Sequence, residues 1–318
     1  MEFRTKHGFA FKKLMSYINT VNSSLLVQNR KETVVFTTNI SNHQFSLELN
    51  KSSFFDFFHW SWSEEKEKGE EEMQQTTGES LQHHSYECFS LQSFDCMTCL
   101  QIVHVKDALR FKVEKSGAMT SQTYNPSIGN PSHFLNTYRL HAKKFQVSNI
   151  LHHRVVHADY TEDDHEFHLA RSDNSDLFDR TICSANINKK VVEDVFEDGL
   201  QELYDTITFS LDIDGNKVEM AASNDFSSYS KTFDIFRSFD FLSKLEMTKL
   251  SIDIPYDILS KFYEAIFVDN DLHVQEVLQV SFLSDKMSYF SISTVVLQSN
   301  IFNDSIVTLQ VWKEDEEE

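Results

Sequence analysis

Two clusters in the sequence hold residue types that bind metals. Cys96-x-x-Cys99 follows His83 and His84, and four ligands of these types suit a tetrahedral zinc site. Cys96 and Cys99 fall in an apolar-patterned stretch, however, where cysteine packs as a small hydrophobe. His152, His153 and His157 lie near Asp159 and Asp163. Their spacing is loose, and no second half completes a hydrolase motif. They read as linker surface, able to change the linker's charge near pH of about 6.5. No metal and no cofactor is assigned.

Nucleophile and phosphate chemistry find no support either. There is no Gly-rich phosphate loop, no GxSxG and no HExxH. The 7 glycines leave little material for phosphate cradles. Carboxylate pairs are abundant among 49 Asp and Glu residues, so none is distinctive. The expected class is a binding protein, not an enzyme.

The remaining chemistry is basic. Lys12 and Lys13, Lys189 and Lys190, and Lys261 lie on segments with helical periodicity. The first helix spans Phe9 to Val21, with Phe11, Leu14, Met15 and Ile18 on one face. The two lysines lie off that stripe. A helix from Asn188 to Leu200 carries Lys189 and Lys190, and one starting near Pro255 carries Lys261. In between, Cys88 to Val103 reads as a helix with Leu91, Phe94, Met97 (or Cys99) and Leu100 on one side.

Strands surround these helices. In the first half they fit Glu2 to Lys6, Ser24 to Gln28, Thr33 to Asn39, Gln44 to Asn50, Ala108 to Glu114 and Phe134 to Ala142. In the second they fit Arg180 to Ala185, Thr206 to Ile213, Lys217 to Ala222, Lys231 to Phe236, Lys249 to Ile254, Val277 to Leu283, Ser288 to Val295 and Ile306 to Trp312. Asp214-Gly215-Asn216 is a hairpin signal. The order strand, helix, strands, helix, strands occurs twice. This predicts an α+β fold of two tandem domains, each with antiparallel sheets and two helices on one face. The boundaries are 1–148, with an inserted acidic loop at 61–86, then a linker at 149–179 and a second domain at 180–318 with an acidic tail.

Composition fits this reading. The formal charge is −20, concentrated in Glu64 to Glu72, Glu162 to Glu166 and Glu314 to Glu318. Net charge bounds solubility and nonspecific association, not the sign of each face. Four cysteines suit a reducing compartment. No apolar run is long enough to span a membrane, and the N-terminus lacks a signal peptide's apolar core.

The opening MEF, FKKLMSYI and VVFTTNISNHQFSLELNKSSFFDFF, then LNTYRLHAKKFQ, INKKVVEDVF, DTITFSLD, NKVEMAASND and FDFLSKLEMTKLSIDIPYDILSKFYEA, occur in collinear order. Together they resemble eukaryotic sliding clamps of the proliferating-cell-nuclear-antigen type, most of all the Rad-nine subunit of the nine-one-one DNA damage checkpoint clamp. The resemblance leaves out residues 60–86 and 115–132.

The resemblance implies a nuclear, heterotrimeric ring with Rad-one-like and Hus-one-like sister subunits. Such a ring is placed on double-stranded DNA by an ATP-driven clamp loader and serves as a platform for checkpoint and repair proteins. It implies that the helices line the hole, with Lys12, Lys13, Lys189, Lys190 and Lys261 facing phosphates, which positions without reading bases. Ring neighbours would join at sheet edges, with candidates at Thr137 to Ala142 and Ser210 to Ala222. Partner peptides would dock under the linker, against Val155, Val156, Val311 and Trp312. Rad-nine proteins carry a long phosphorylated tail, whereas this sequence stops at KEDEEE, so tail-dependent recruitment of a kinase activator is not carried over. A homotrimeric replication clamp and an acidic α+β interaction module without a DNA role stay open.

Overall fold

A computed structural model describes residues 1–40, 42–60, 86–126, 134–151, 154–157, 181–188, 190–191, 204–212, 216–238, 249–267, 277–285, 288–301 and 304–312. All ladders among them are antiparallel, and four helices of four residues or more accompany them.

The first half begins with strand β1 (Glu2–Thr5) and helix α1 (Gly8–Val21). The predicted stripe of α1 is its buried face: Phe11, Leu14, Met15 and Ile18 are all at most 2% exposed. Next come β2 (Ser24–Asn29), β3 (Thr33–Ile40), β4 (His43–Asn50), a short helix α2 (Lys51–Phe54) and β5 (Phe57–His59). In β4, Phe45, Leu47 and Leu49 face the core while Ser46 and Glu48 stay partly exposed, the alternation of a half-buried strand. Asn50 starts α2 by accepting from the backbone N–H groups of Ser52 and Ser53.

The expected helix Cys88 to Val103 is a strand followed by a short helix: β6 (Tyr86–Gln92) and α3 (Ser93–Cys99). Cys88, Phe89 and Leu91 are held in ladders with β2 on one side and with a strand from 145 onward on the other. Phe94, assigned to the apolar face, is 59% exposed. The run continues with β7 (Ala108–Val113), β8 (Ala118–Tyr124) and β9 (Phe134–His141). Then come β10 (Phe145–Leu151) and β11 (Arg154–His157), which occupy the start of the expected linker.

The second half contains β12 (Thr181–Asn188), β13 (Thr206–Asp212), β14 (Lys217–Ser223), β15 (Ser228–Ser238) and β16 (Lys249–Pro255). Helix α4 (Tyr256–Phe267) follows, then β17 (Val277–Asp285), β18 (Ser288–Ile301) and β19 (Ser305–Trp312). Most of the helix expected at Asn188 to Leu200 lies outside the described residues, as do the loop at 61–85, most of the linker and the acidic tail.

The two halves repeat one plan. The order β1-β7-β8-β9 in the first matches β12-β17-β18-β19 in the second, and β6-β2-β3-β4 matches β16-β13-β14-β15. Even the exit repeats. β5 adds to β1 after β4 ends, and the far end of β15 adds to β12 after its first seven residues pair with β14. A phenylalanine cluster fills the first core, with Phe3 beside Phe11, Phe55 and Phe111 at ring-centre distances of 4.8 to 5.5 Å. Each such pair adds about 0.5–1.5 kcal/mol beyond area burial.

The halves are joined by a ladder. β4 pairs with β19 from Glu48↔Ile306 to His43↔Val311. Asn42 closes one end, donating through Nδ2 to the Trp312 carbonyl at 2.8 Å and accepting the Trp312 N–H at 2.9 Å. Beneath the seam, Phe45 of β4 meets Phe262 of α4 edge-on at 6.2 Å.

Candidate inner surface and docking edges

Helix α1 packs against α3 on one side and α4 of the second half on the other, so the three form one layer against the sheets. Lys12 and Lys13 thus lie on a helix that packs against the one carrying Lys261. Their local settings differ.

Lys12 is bound to the protein. Its Nζ donates to the carbonyls of Val103, at 2.8 Å, and Gln101, at 3.2 Å. These carbonyls follow the last turn of α3, where a cation complements the helix's negative end. The ammonium of Lys12 thus binds the chain that leaves a neighbouring helix. Lys13 lies with its Nζ 5.0 Å from the centre of the Phe9 ring. Lys261 pairs with Asp257 four residues earlier, at 3.7 Å. Lys190 is exposed at a helix start, where Asn188 Oδ1 accepts its backbone N–H at 2.9 Å. Lys189 lies outside the described residues.

The expected partner pocket is not assembled along the sheet. Val155 and Val156 belong to β11, and five strands separate β11 from β19, which carries Val311 and Trp312. At about 4.8 Å per strand that is roughly 29 Å of sheet. Val311 is fully buried in the joint, opposite His43, and only Trp312 is partly exposed. The four residues were grouped by a linker expected to lie across both. After β9 the chain enters the other sheet, where β10 and β11 form one end of the order β11-β10-β6-β2-β3-β4-β19.

The cysteines are core residues. Cys88, Cys96, Cys99 and Cys183 are buried with free thiols. Burial pushes the thiols of Cys88 and Cys183 up to about 12 and that of Cys99 to about 11, and it raises Cys96 furthest. His83, His84, His152, His153, Asp159 and Asp163 lie outside the described residues.

Edges are the second candidate surface. β9 ends the first sheet, so Thr137 to His141 form a free edge as expected. The expected second edge, Ser210 to Ala222, is corrected: β13 lies between β16 and β14, and β14 lies between β13 and β15. Among the described residues the second half has two edges: β16, which pairs only with β13, and the first part of β15, which pairs on one side only until it turns toward β12. The sequence signal available was weak, because β15 is a polar run broken by Tyr229, Phe233 and Ile235.

The edges have two unlike rows. Toward the core side, Tyr138 and Leu140 on β9, and Tyr229 and Phe233 on β15, pack partly buried against the core. On the outer face of β7, β8 and β9, Arg110, Lys112 and Arg139 line a cleft of about 550 Å³. Arg110 is held by Glu2 at 2.8 Å, and Lys112 by Glu114 at 2.7 Å.

This architecture, two repeated sheet-and-helix units joined by an edge ladder, is the fold of PCNA-type sliding clamps. The solved structure of PCNA from Thermococcus kodakaraensis superposes with a TM-score of 0.53, covering 98% of each chain at 10% identity. A structure of the PCNA2–PCNA3 complex from Sulfolobus tokodaii gives 0.56, covering 99% of each chain at 9% identity. No protein-family profile matches the sequence, and no curated protein does.

Proposed function

We propose that this chain is one subunit of a ring-shaped DNA sliding clamp, which holds other proteins on the duplex and catalyses no reaction. The observation that carries the reading is the joint between β4 and β19 together with the repeat. Under the repeat, β4 corresponds to the start of β15 and β19 to β9. The two strands that pair inside the chain thus have counterparts that end free, one in each half. Antiparallel pairing of β9 with a neighbour's β15-type strand repeats the internal joint and continues the arc until it closes. The helix layer then lines the hole.

The inner layer is sparingly basic. Lys13, Lys190 and Lys261 are the described cations that phosphates would meet, and each contact contributes a salt slope of about −0.9. Retention would then come from encirclement more than from contact affinity. The test is retention on circular DNA by the chain with its co-purifying partners. Release on cutting the circle is expected. Equal retention on linear and circular DNA would overturn the reading.

The finer assignment follows the Rad-nine resemblance: a nuclear checkpoint ring with Rad-one-like and Hus-one-like sisters, delivered by a clamp loader and serving checkpoint and repair factors. Co-purification of two clamp-type sisters from cells with damaged DNA is expected.

A further inference from the structure

The sheet β5-β1-β7-β8-β9 has two faces of different chemistry. Phe3, Leu109, Phe111 and Met119 are buried on the core face, where Phe3 meets Phe11 of α1. On the opposite face, turned away from the helices, the strand registers align three rows. One row is His59, Glu2, Lys112, Thr120 and Arg139. The next is Phe57, Arg4, Arg110, Gln122 and Thr137, and the third is Ala108, Tyr124 and Phe134. This face sets Arg4, Arg110, Lys112 and Arg139 against the carboxylates of Glu2 and the adjacent Glu114. It is a cationic surface in a chain whose net charge is −20.

Aromatic and basic groups are interleaved there. The Arg4 guanidinium lies 4.9 Å from the centre of the Phe57 ring, and that of Arg110 lies 5.8 Å from the Phe134 ring. Phe57 is 39% exposed, and His59 and Arg139 are exposed beside it on the same face. Arg110 is fixed in place, donating from Nε to Glu2 at 2.8 Å. Arg110, Lys112, Arg139 and His141 line the cleft of about 550 Å³ together with Thr120 and Gln122. The combination decides the class of ligand. Cations alone would suit any polyanion, an acidic peptide included. Aromatic rings and guanidinium planes on a sheet are surfaces on which unpaired bases stack, while the flanking cations neutralise phosphates. A duplex hides its base faces and offers the rings nothing.

We propose that the outer face of this sheet binds single-stranded nucleic acid, with bases against Phe57, Tyr124 and Phe134 and phosphates against Arg110, Lys112 and Arg139. The site lies on the side of the sheet opposite the helix layer. It is therefore separate from the hole of the clamp reading, and it needs no closed ring. Stacking and backbone contacts carry little sequence information, so the face accepts strands of many sequences.

The test is fluorescence anisotropy of a short labelled oligothymidylate titrated with the full chain at low salt, with variants checked for native circular dichroism. Binding that weakens as salt rises is expected, and an unlabelled single strand should displace the probe far better than a duplex of the same length. Lys112→Glu with Arg139→Glu should weaken binding by about tenfold or more and reduce the salt slope by about 1.4, at about 0.7 for each phosphate contact on a single strand. Phe57→Ala should weaken binding by about fivefold or more with the slope unchanged, as the loss of a stacked base requires. Phe57→Tyr keeps the ring and should bind as the wild type does. Absence of binding at low salt overturns the inference. So does binding that survives both the charge reversals and Phe57→Ala, which puts the strand elsewhere on the chain. Equal displacement by the duplex, or by polyglutamate, reveals a general polyanion surface and overturns it too. Retention on circular duplex DNA is read separately, so the clamp reading can stand or fall without this one.

Discussion

Lys12 on the first helix donates from Nζ to the carbonyl of Val103 at 2.8 Å, across 91 residues of sequence. A charge that helical spacing offers to a ligand is thereby used to fasten two helices of the same layer.

This separates Lys12 from Lys13 experimentally. Lys12→Ala should lower unfolding free energy by about 1 kcal/mol, since hydrogen bonds to charged groups are the stronger kind but this one is partly solvated. It should leave the salt slope of DNA retention unchanged. Lys13→Ala should do the reverse, reducing the slope by about 0.9 with little change in stability. Denaturant melts and salt titrations of the assembled ring check both.

Gly117 occupies the left-handed region at φ 80°, and a β-carbon there would lie 2.9 Å from the Phe145 β-carbon. Gly117→Ala therefore meets both backbone strain and a side-chain collision. A loss of about 1–2 kcal/mol is expected from the conformation alone, read by urea denaturation. A larger loss would register the collision.

The thiols should be silent in the folded protein. Cys88, Cys96, Cys99 and Cys183 are buried, with burial holding each thiol protonated well above neutral pH. Only the thiolate reacts readily. A disulfide reagent at pH 8 should titrate none of the four until denaturant is added, after which all four should react at once.

His7, at the start of α1, supplies a pH dependence. Burial lowers its pKa, Lys6 lowers it further, and Asp56 opposes both. The unfolded chain then binds a proton at a higher pH than the folded one. Stability is complete above the ordinary histidine pKa of about 6.5 and falls as pH drops through the window between the two values. His7→Gln should flatten that part of the stability–pH curve in thermal melts between neutral and mildly acid pH.

Much of the fold was legible because its signals are local. The α1 stripe, the alternation in β4, the hairpin between β13 and β14 and the start of α4 near Pro255 all stand in short windows. The Asp-Gly signal falls between two strands that do pair, β13 and β14, and Asn216, just before β14, takes a left-handed φ of 50°. What escaped notice was hidden by composition or distance. β8 points Ser121 and Thr123 into the core at 0% exposure, so no apolar alternation marks it. β6 and α3 form one apolar run whose two periods blur together. The role of Lys12 depends on carbonyls about 90 residues away, and the free edge of β15 depends on which strands its neighbours choose. Neither is written in any window of the sequence.

The ladder between β4 and β19 also sets a timetable. Asn50 and Ser305, hydrogen-bonded across it, are 255 residues apart. At ribosomal rates of about 5–20 residues per second, β4 waits roughly 10 to 50 seconds for its partner strand. Throughout that interval a newborn chain, with β3 on one side of β4, presents the other edge of β4 unpaired to its surroundings. The β19 of an already finished molecule is the competitor best shaped to take it. Slow translation and crowded polysomes should therefore favour exchanged-strand dimers, and a chaperone that shields this one strand would do most to prevent them.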